Sequence, residues 1–279
     1  YIDAKRNILR FQNPEDFAII NRDYPASYES EVYTKGKVFW ISREAEVEEG
    51  CFVKEGRIVV RGALRSLRQF SRSAGSAKAP RALFEEEIIS IKDILLPGKH
   101  NLENVCAAVM AATIAGVTKE NIVEVLKSFK GLEHRLEFVK DVNGIRFYND
   151  SLATIPRATI EGMEALPETE TLIAGGYDRG IDFKPLAEHL RNGQIKTLIL
   201  FPGTGKRIWE EICKVVPEKS RPEKFDVETM EKAVRIAYSK TSVGKICLLS
   251  PASASFGIFK DYKDRGEQFK REVASLMSS

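Results

Sequence analysis

No run of about 18 consecutive apolar residues occurs in this chain, so the sequence offers no transmembrane span. Cysteine is scarce. The four present in 279 residues (Cys51, Cys106, Cys213, Cys247) stand far apart and never in CxxC spacing. That pattern speaks against a disulfide framework and predicts reduced, mostly buried thiols of a cytoplasmic protein. An excess of one charge is lacking too: 43 basic residues face 40 acidic ones, a net +3. So mild a balance does not call for nucleic acid or a membrane surface as partner, and neither is expected. The first residues, Tyr-Ile-Asp-Ala-Lys, hold no signal-like apolar stretch and no initiator methionine, as a mature product or a fragment would. No internal repeat is visible. What remains is ordinary globular composition, 43% hydrophobic and 30% charged, in a chain long enough for two domains of about 150 residues.

Along the chain, Ala4–Arg10 reads as the end of a helix. The short apolar runs Phe17–Asn21 and Lys37–Ser42 predict buried strands, and Cys51–Val60, alternating about Glu55-Gly56, a hairpin. Residues 61–82 hold Arg61, Arg65, Arg68, Arg72, Lys78 and Arg81 with no acid, and the three acids Glu85 to Glu87 follow. A long, solvated and mobile loop is the expectation there, with a basic contact for phosphate or RNA as the alternative. Residues 99–116 predict a small-residue helix, and 119–130 a second one stopped by Gly131 as C-cap. Residues 137–148 predict a hairpin turning at Asn143-Gly144. Beyond it, apolar strands at 171–175, 196–201 and 245–250 alternate with helical stretches near 155–166, 184–191, 204–215, 228–240 and 260–276. Such alternation implies an α/β fold with a parallel sheet covered on both faces, which binds ligands beyond the carboxyl ends of its strands. The domain boundary is placed near Gly131, giving 1–131 and 132–279.

Several loops carry polar groups toward that edge. Phe201–Arg207 invites a phosphate-loop reading but fails the spacing, since Arg207 follows the lysine and the first glycine is missing; a strand-to-helix turn accounts for it. Asn101 and Asn104 stand three apart at a helix start, suited either to capping or to the edge of a base such as adenine. Gly131-Leu-Glu-His-Arg135, Tyr148-Asn-Asp-Ser-Leu-Ala-Thr154, Gly175-Gly-Tyr-Asp-Arg-Gly-Ile-Asp182 and Leu249-Ser-Pro-Ala-Ser-Ala-Ser255 each put polar residues in a loop at a strand end. Four at one edge, with Arg135, Asp150 and Arg179 among them, point to a polar cleft for an anionic ligand.

In this order, HNxxN, GLxHR, NDSxAT, GGxxRGxDF and LLSPASAS followed by FKDYxxRG resemble the Mur ligases, and among them the glutamate-adding members. The likeness covers nearly the whole chain apart from 61–82. It implies the later part of a central ATPase domain, then a doubly wound, mostly parallel, Rossmann-like C-terminal domain. The family's GTNGK[ST] loop is not in this sequence, nor its magnesium-binding histidine segment or its UDP-sugar domain.

By resemblance, the activity is ATP-dependent amide formation, joining glutamate to UDP-N-acetylmuramoyl-L-alanine through an acyl-phosphate in cytoplasmic peptidoglycan precursor synthesis. ATP and Mg²⁺ are the implied cofactors, and a monomer is expected. Lys5, as a carbamate, would hold magnesium. Asn101 and Asn104 would face adenine, while Arg135 and Asp150 would lie against phosphate and ribose when the C-terminal domain closes. Thr154, Arg179, Ser255 and Tyr262 match the glutamate-contacting positions. Two positions depart from the pattern: Arg179 and Leu152 stand where the family has lysines. The glutamate enantiomer is thereby left open, D by family pattern and L as alternative. Two other readings stay beside this one: a noncatalytic nucleotide- or anion-binding α/β module, and a glutamate ligase like folylpolyglutamate synthase.

Overall fold

The computed structural model describes residues 1–62 and 84–276. It divides into two compact units, Tyr1–Lys130 and Gly131–Ser279. Apart from Arg61 and Gly62, the basic stretch read as a mobile loop lies outside the described residues.

The first unit opens with α1 (Ile2–Arg10) and carries a five-stranded sheet in chain order: β1 (Phe17–Asn21), β2 (Lys37–Ser42), β3 (Gly50–Lys54), β4 (Arg57–Arg61) and β5 (Glu85–Ser90). β1, β2 and β3 run parallel, while β3–β4 and β4–β5 are antiparallel. Between the first two strands lies the short α2 (Pro25–Tyr28). The long α3 (His100–Ile114) buries Val105, Cys106, Val109 and Met110 in a core with Phe39, Ile41, Cys51, Ile58 and Val60. Those four helix positions repeat at one and four residues, the spacing of a single helical face. The second helix, α4 (Lys119–Ser128), stops earlier than expected. Phe129 turns to extended backbone as its C-cap, so Gly131 caps nothing.

The loop expected over 61–82 needs correction at its first residue. Arg61 is the last residue of β4, stacked over Phe52 and paired with Glu46 and Glu85. The acids after the basic stretch are the start of β5, where Arg57 also meets Glu87. Cross-strand pairing between opposite charges joins the ends of what reads in sequence as one polar linker.

The second unit is a six-stranded sheet of order β10-β9-β8-β11-β7-β6. Its strands are β6 (Glu137–Val142), β7 (Ile145–Asn149), β8 (Thr169–Gly176), β9 (Thr197–Gly203), β10 (Glu223–Asp226) and β11 (Ile246–Leu249). All pair in parallel except β6 with β7, a hairpin closed by Asn143 and Gly144 at φ 53° and 82°. Positive φ at both turn residues matches the right-handed twist of the strands, as Asn-Gly predicts.

Five helices cover this sheet: α5 (Pro156–Ala165), α6 (Lys184–Leu190), α7 (Thr204–Val215), α8 (Met230–Lys240) and α9 (Tyr262–Ser275). Alternate strand residues go to opposite faces. Leu172, Leu198, Leu200, Ile246 and Leu248 pack against α5, α6 and α7 through Met163, Leu186 and Ile208. Ile173, Ile199, Phe201, Cys247 and Leu249 pack against α8 and α9 through Val234, Phe269 and Val273. Both faces are dry, which is why these strands read as unbroken apolar runs. The fold is the Rossmann-like one expected. All four cysteines are free, with only Cys213 not fully buried. No helix among the described residues is long and apolar enough to cross a membrane.

Candidate functional site

Parallel pairing places the carboxyl ends of β7, β8, β9 and β11 at one edge of the second sheet. β7 ends in Asn149, wholly buried, and Asp150 follows at 5% exposure. Asp150 Oδ2 accepts from Ser250 Oγ at 2.8 Å and Oδ1 from the Leu136 amide at 3.2 Å. Burial pushes its carboxyl up to about 7, against the lowering pull of those two donors and of Arg135. Arg135 itself is exposed.

The turn before β6 is held in an unusual backbone state. His134 and Leu136 adopt φ of 65° and 45°, values that side chains with a Cβ rarely take. Their surroundings enforce it: the His134 amide donates to Glu137 Oε2 at 2.9 Å, and its carbonyl accepts from Leu152 N at 3.0 Å. Asn149 Nδ2 lies 2.9 Å from both His134 Nδ1 and Glu137 Oε2. With Asn149 as donor, His134 carries its proton on Nε2, toward Glu267 Oε1 at 3.8 Å.

Arg265 is the largest fully buried side chain of the described chain. It leaves the first turn of α9, donating from Nε to Ser151 Oγ at 2.9 Å, from Nη2 to Ser151 O at 2.8 Å and from Nη1 to Ser253 O at 3.1 Å. Ser151 Oγ in turn donates to Tyr262 O at 2.7 Å. Burial pulls the guanidinium down to about 9, so it is still a cation at neutral pH. A desolvation cost of several kcal/mol is offset by three charged hydrogen bonds of about 1.5–3 kcal/mol each. Sequence reasoning passed over this residue, along with His134, Asn149 and Ser151. The signal was present: Arg265, Phe269 and Val273 recur every four residues, placing an arginine on the apolar stripe of α9.

The four residues assigned to an amino acid lie on this edge. Thr154 and Tyr262 are half-buried, Ser255 is buried and Arg179 is exposed. Tyr262 meets the His134 ring edge-on, centroids 5.9 Å apart. The loop of Arg179 is held by other groups. Asp178 accepts from Arg207 and from the Gly180 amide, and Asp182 from the Lys184 amide at the start of α6. Arg207 also reaches Ile181 O at 2.9 Å. Among the described residues no hydrogen bond or ion pair engages the Arg179 guanidinium. Phe201–Arg207 forms the strand-to-helix turn expected, with Thr204 Oγ1 2.7 Å from Ser253 Oγ.

Lys5, Asn101 and Asn104 belong to the first unit. Asn104 Nδ2 donates to Asn101 Oδ1 at 3.1 Å, and Asn101 Nδ2 to Pro97 O at 2.7 Å. The two amides do share a face, but neither caps the helix. Asn101 is committed internally, whereas exposed Asn104 keeps a carbonyl and one N–H, the pair that adenine's edge requires. Lys5 is exposed on α1, its Nζ over the Tyr1 ring at 5.6 Å. The groove beside it is lined by Arg6 and apolar side chains with Ser27 and Ser30, and no carboxylate. Those residues do not by themselves make a magnesium site, which needs carboxylate oxygens. Nor does the Glu133–His134–Glu267 cluster of the second unit, because the Lys270 ammonium already sits 2.7 Å from Glu267 and 3.8 Å from Glu133.

Residues 134–253, the span that holds most of this edge, match the family described as Mur ligase, glutamate ligase domain. That span carries a Mur ligase C-terminal domain. It is 38% identical over 278 residues to the UDP-N-acetylmuramoylalanine--D-glutamate ligase of Thermoanaerobacter sp. (strain X514), covering 99% of this chain and 56% of that protein. The enzyme of that name from Acetivibrio thermocellus is 36% identical over 99% of this chain and 55% of its own length. The chain thus spans about half the length of these Mur ligase relatives. Solved Mur ligases share the fold: MurF from Acinetobacter baumannii superposes with a TM-score of 0.65 at 15% identity, over 99% of this chain and 55% of that one. MurF from Thermotoga maritima, solved in complex with ADP, gives 0.59 at 15% identity, over 99% and 58%.

Proposed function

We propose that this chain is the C-terminal part of an ATP-dependent ligase that joins glutamate to UDP-N-acetylmuramoyl-L-alanine during peptidoglycan precursor synthesis in the cytoplasm. The observation that carries this is the 38% identity to a glutamate ligase over 99% of the chain, motif loops included. Arg135 and Asp150 stand in adjoining loops, one an exposed cation and the other a buried carboxyl. In this reading the first meets phosphate and the second a ribose hydroxyl. Asn104, oriented by Asn101, addresses the adenine edge. ATP supplies the phosphoryl group that activates the substrate carboxylate. Lys5 acts as a carbamate, with its remaining magnesium ligands coming from outside the described residues. Thr154, Arg179, Ser255 and Tyr262 receive glutamate, where a guanidinium grips a carboxylate with two parallel bonds. The whole ligase works as a monomer and needs neither nucleic acid nor membrane.

The test is phosphate release by the full-length ligase with ATP, UDP-N-acetylmuramoyl-L-alanine and each enantiomer of glutamate. Release that depends on one enantiomer is expected. Release with neither, or with the nucleotide substrate omitted, would overturn the assignment.

A further inference from the structure

Arg265 is a buried cation whose three donated hydrogen bonds all go to loops outside its own helix. Among the described residues it meets no carboxylate. Two of its five N–H groups are left over, one on each terminal nitrogen. A third loop also closes on it: a Cβ added to Gly176 would fall 3.3 Å from Arg265 Nη1 and only 2.3 Å from Ala254 O. Gly176 therefore brings bare backbone against the guanidinium, and Tyr177 bridges to Ala254 beside it.

We propose that Arg265 is the positioning residue of an acidic amino-acid pocket, holding its three loops in one arrangement and biasing it toward a carboxylate ligand. The inference rests on the reading above that these loops receive glutamate. Each residue assigned to that amino acid lies within three positions of a group in this network. Thr154 lies three residues after Ser151, Arg179 three after Gly176, Ser255 two after Ser253, and Tyr262 three before Arg265 itself. The Ser151 hydroxyl extends the network to the Tyr262 carbonyl and so sets the first turn of α9. A neutral cross-link would suffice to tie loops together. A cation instead adds a field that reaches the pocket through a medium of low dielectric, where it is screened far less than in water. Among the described residues Asp150 is the one buried carboxylate, and its donors are Ser250 and Leu136 rather than Arg265.

The experiment measures KM for glutamate and for ATP in the full-length ligase and in Arg265→Lys and Arg265→Met. Lysine keeps the charge but loses the fork, so its glutamate KM is expected to rise about tenfold, the scale of one charged hydrogen bond, with the ATP value within about twofold. Methionine loses the charge too and is expected to raise the glutamate KM further. Should either variant fail to fold by circular dichroism and thermal melting, Ser151→Ala removes the hydroxyl that links Nε to the Tyr262 carbonyl while leaving the Nη1 and Nη2 bonds; a selective rise of severalfold in its glutamate KM supports the proposal. A folded variant whose two KM values rise together, or neither of which changes, overturns it while leaving the ligase assignment intact. Wild type without glutamate-dependent turnover overturns both.

Discussion

A carboxyl with its oxygens on Ser250 and Leu136, sealed from water, makes Asp150 a reporter of pH. In the folded chain it titrates near 7 against an ordinary value of 3.8, so between those values the folded protein keeps a proton that the unfolded chain has released. Its contribution to stability is whole below about pH 4, declines as pH rises and is gone above about 7, a loss of about 4 kcal/mol at most. Asp150→Asn removes this titration. Urea unfolding at several pH values is expected to show the variant gaining on wild type from pH 4 to pH 8; a constant gap would place the titration elsewhere. Arg179 yields to a similar contrast. Its loop is held by Arg207, so Arg179→Lys is expected to leave the melting temperature unchanged while raising the glutamate KM more than the ATP KM. An unaltered glutamate KM removes Arg179 from the pocket. Asp150 and Arg179 were legible in sequence because charged residues in strand-end loops stand out. Arg265 showed only as an arginine on an apolar stripe, because its partners Ser151 and Ser253 lie more than a hundred and more than ten positions away.

At the scale of elements, the strands that read most easily were those with two dry faces, β8, β9 and β11, whose apolar runs have no competing explanation. β5 and β10 were missed for the opposite reason. β5 opens with three glutamates, two of them paired across to β4, and β10 is a polar edge strand of four residues. Tertiary pairing stabilises both where local propensity does not. The hairpin at Asn143-Gly144 was legible because its turn chemistry is local. Helix α9 shows how an element can depend on a missing side chain. A Cβ on Gly266 would fall 2.2 Å from His134 Nδ1 and 2.9 Å from Asn149 Nδ2. Gly266→Ala gains about 1 kcal/mol of helix propensity but must displace a buried, hydrogen-bonded histidine. The expected net is a loss of about 2 kcal/mol, read as a lower urea midpoint. A stabilised variant would mean that α9 can shift without cost.

For the whole molecule, two separate cores serve two jobs in the proposed reaction, the first unit addressing the nucleotide base and the second the amino acid. The 279-residue chain alone is expected to show no ligase turnover, because its sequence contains no GTNGK[ST] loop to cradle the transferred phosphoryl group. Phosphate release at the rate of the full-length ligase would refute this. The strand order carries a consequence for biosynthesis. β11 occupies the middle of the second sheet, between β8 and β7, yet it is the last strand in the chain. While the ribosome is still translating the segment before Ile246, β7 and β8 have no partner on their facing edges. A nascent chain at that stage exposes two apolar strand edges at once, the state most open to pairing with another polypeptide. Four residues, Ile246–Leu249, then close both edges together. A chain halted before Ile246 is therefore expected to be more prone to aggregate than one that includes this strand.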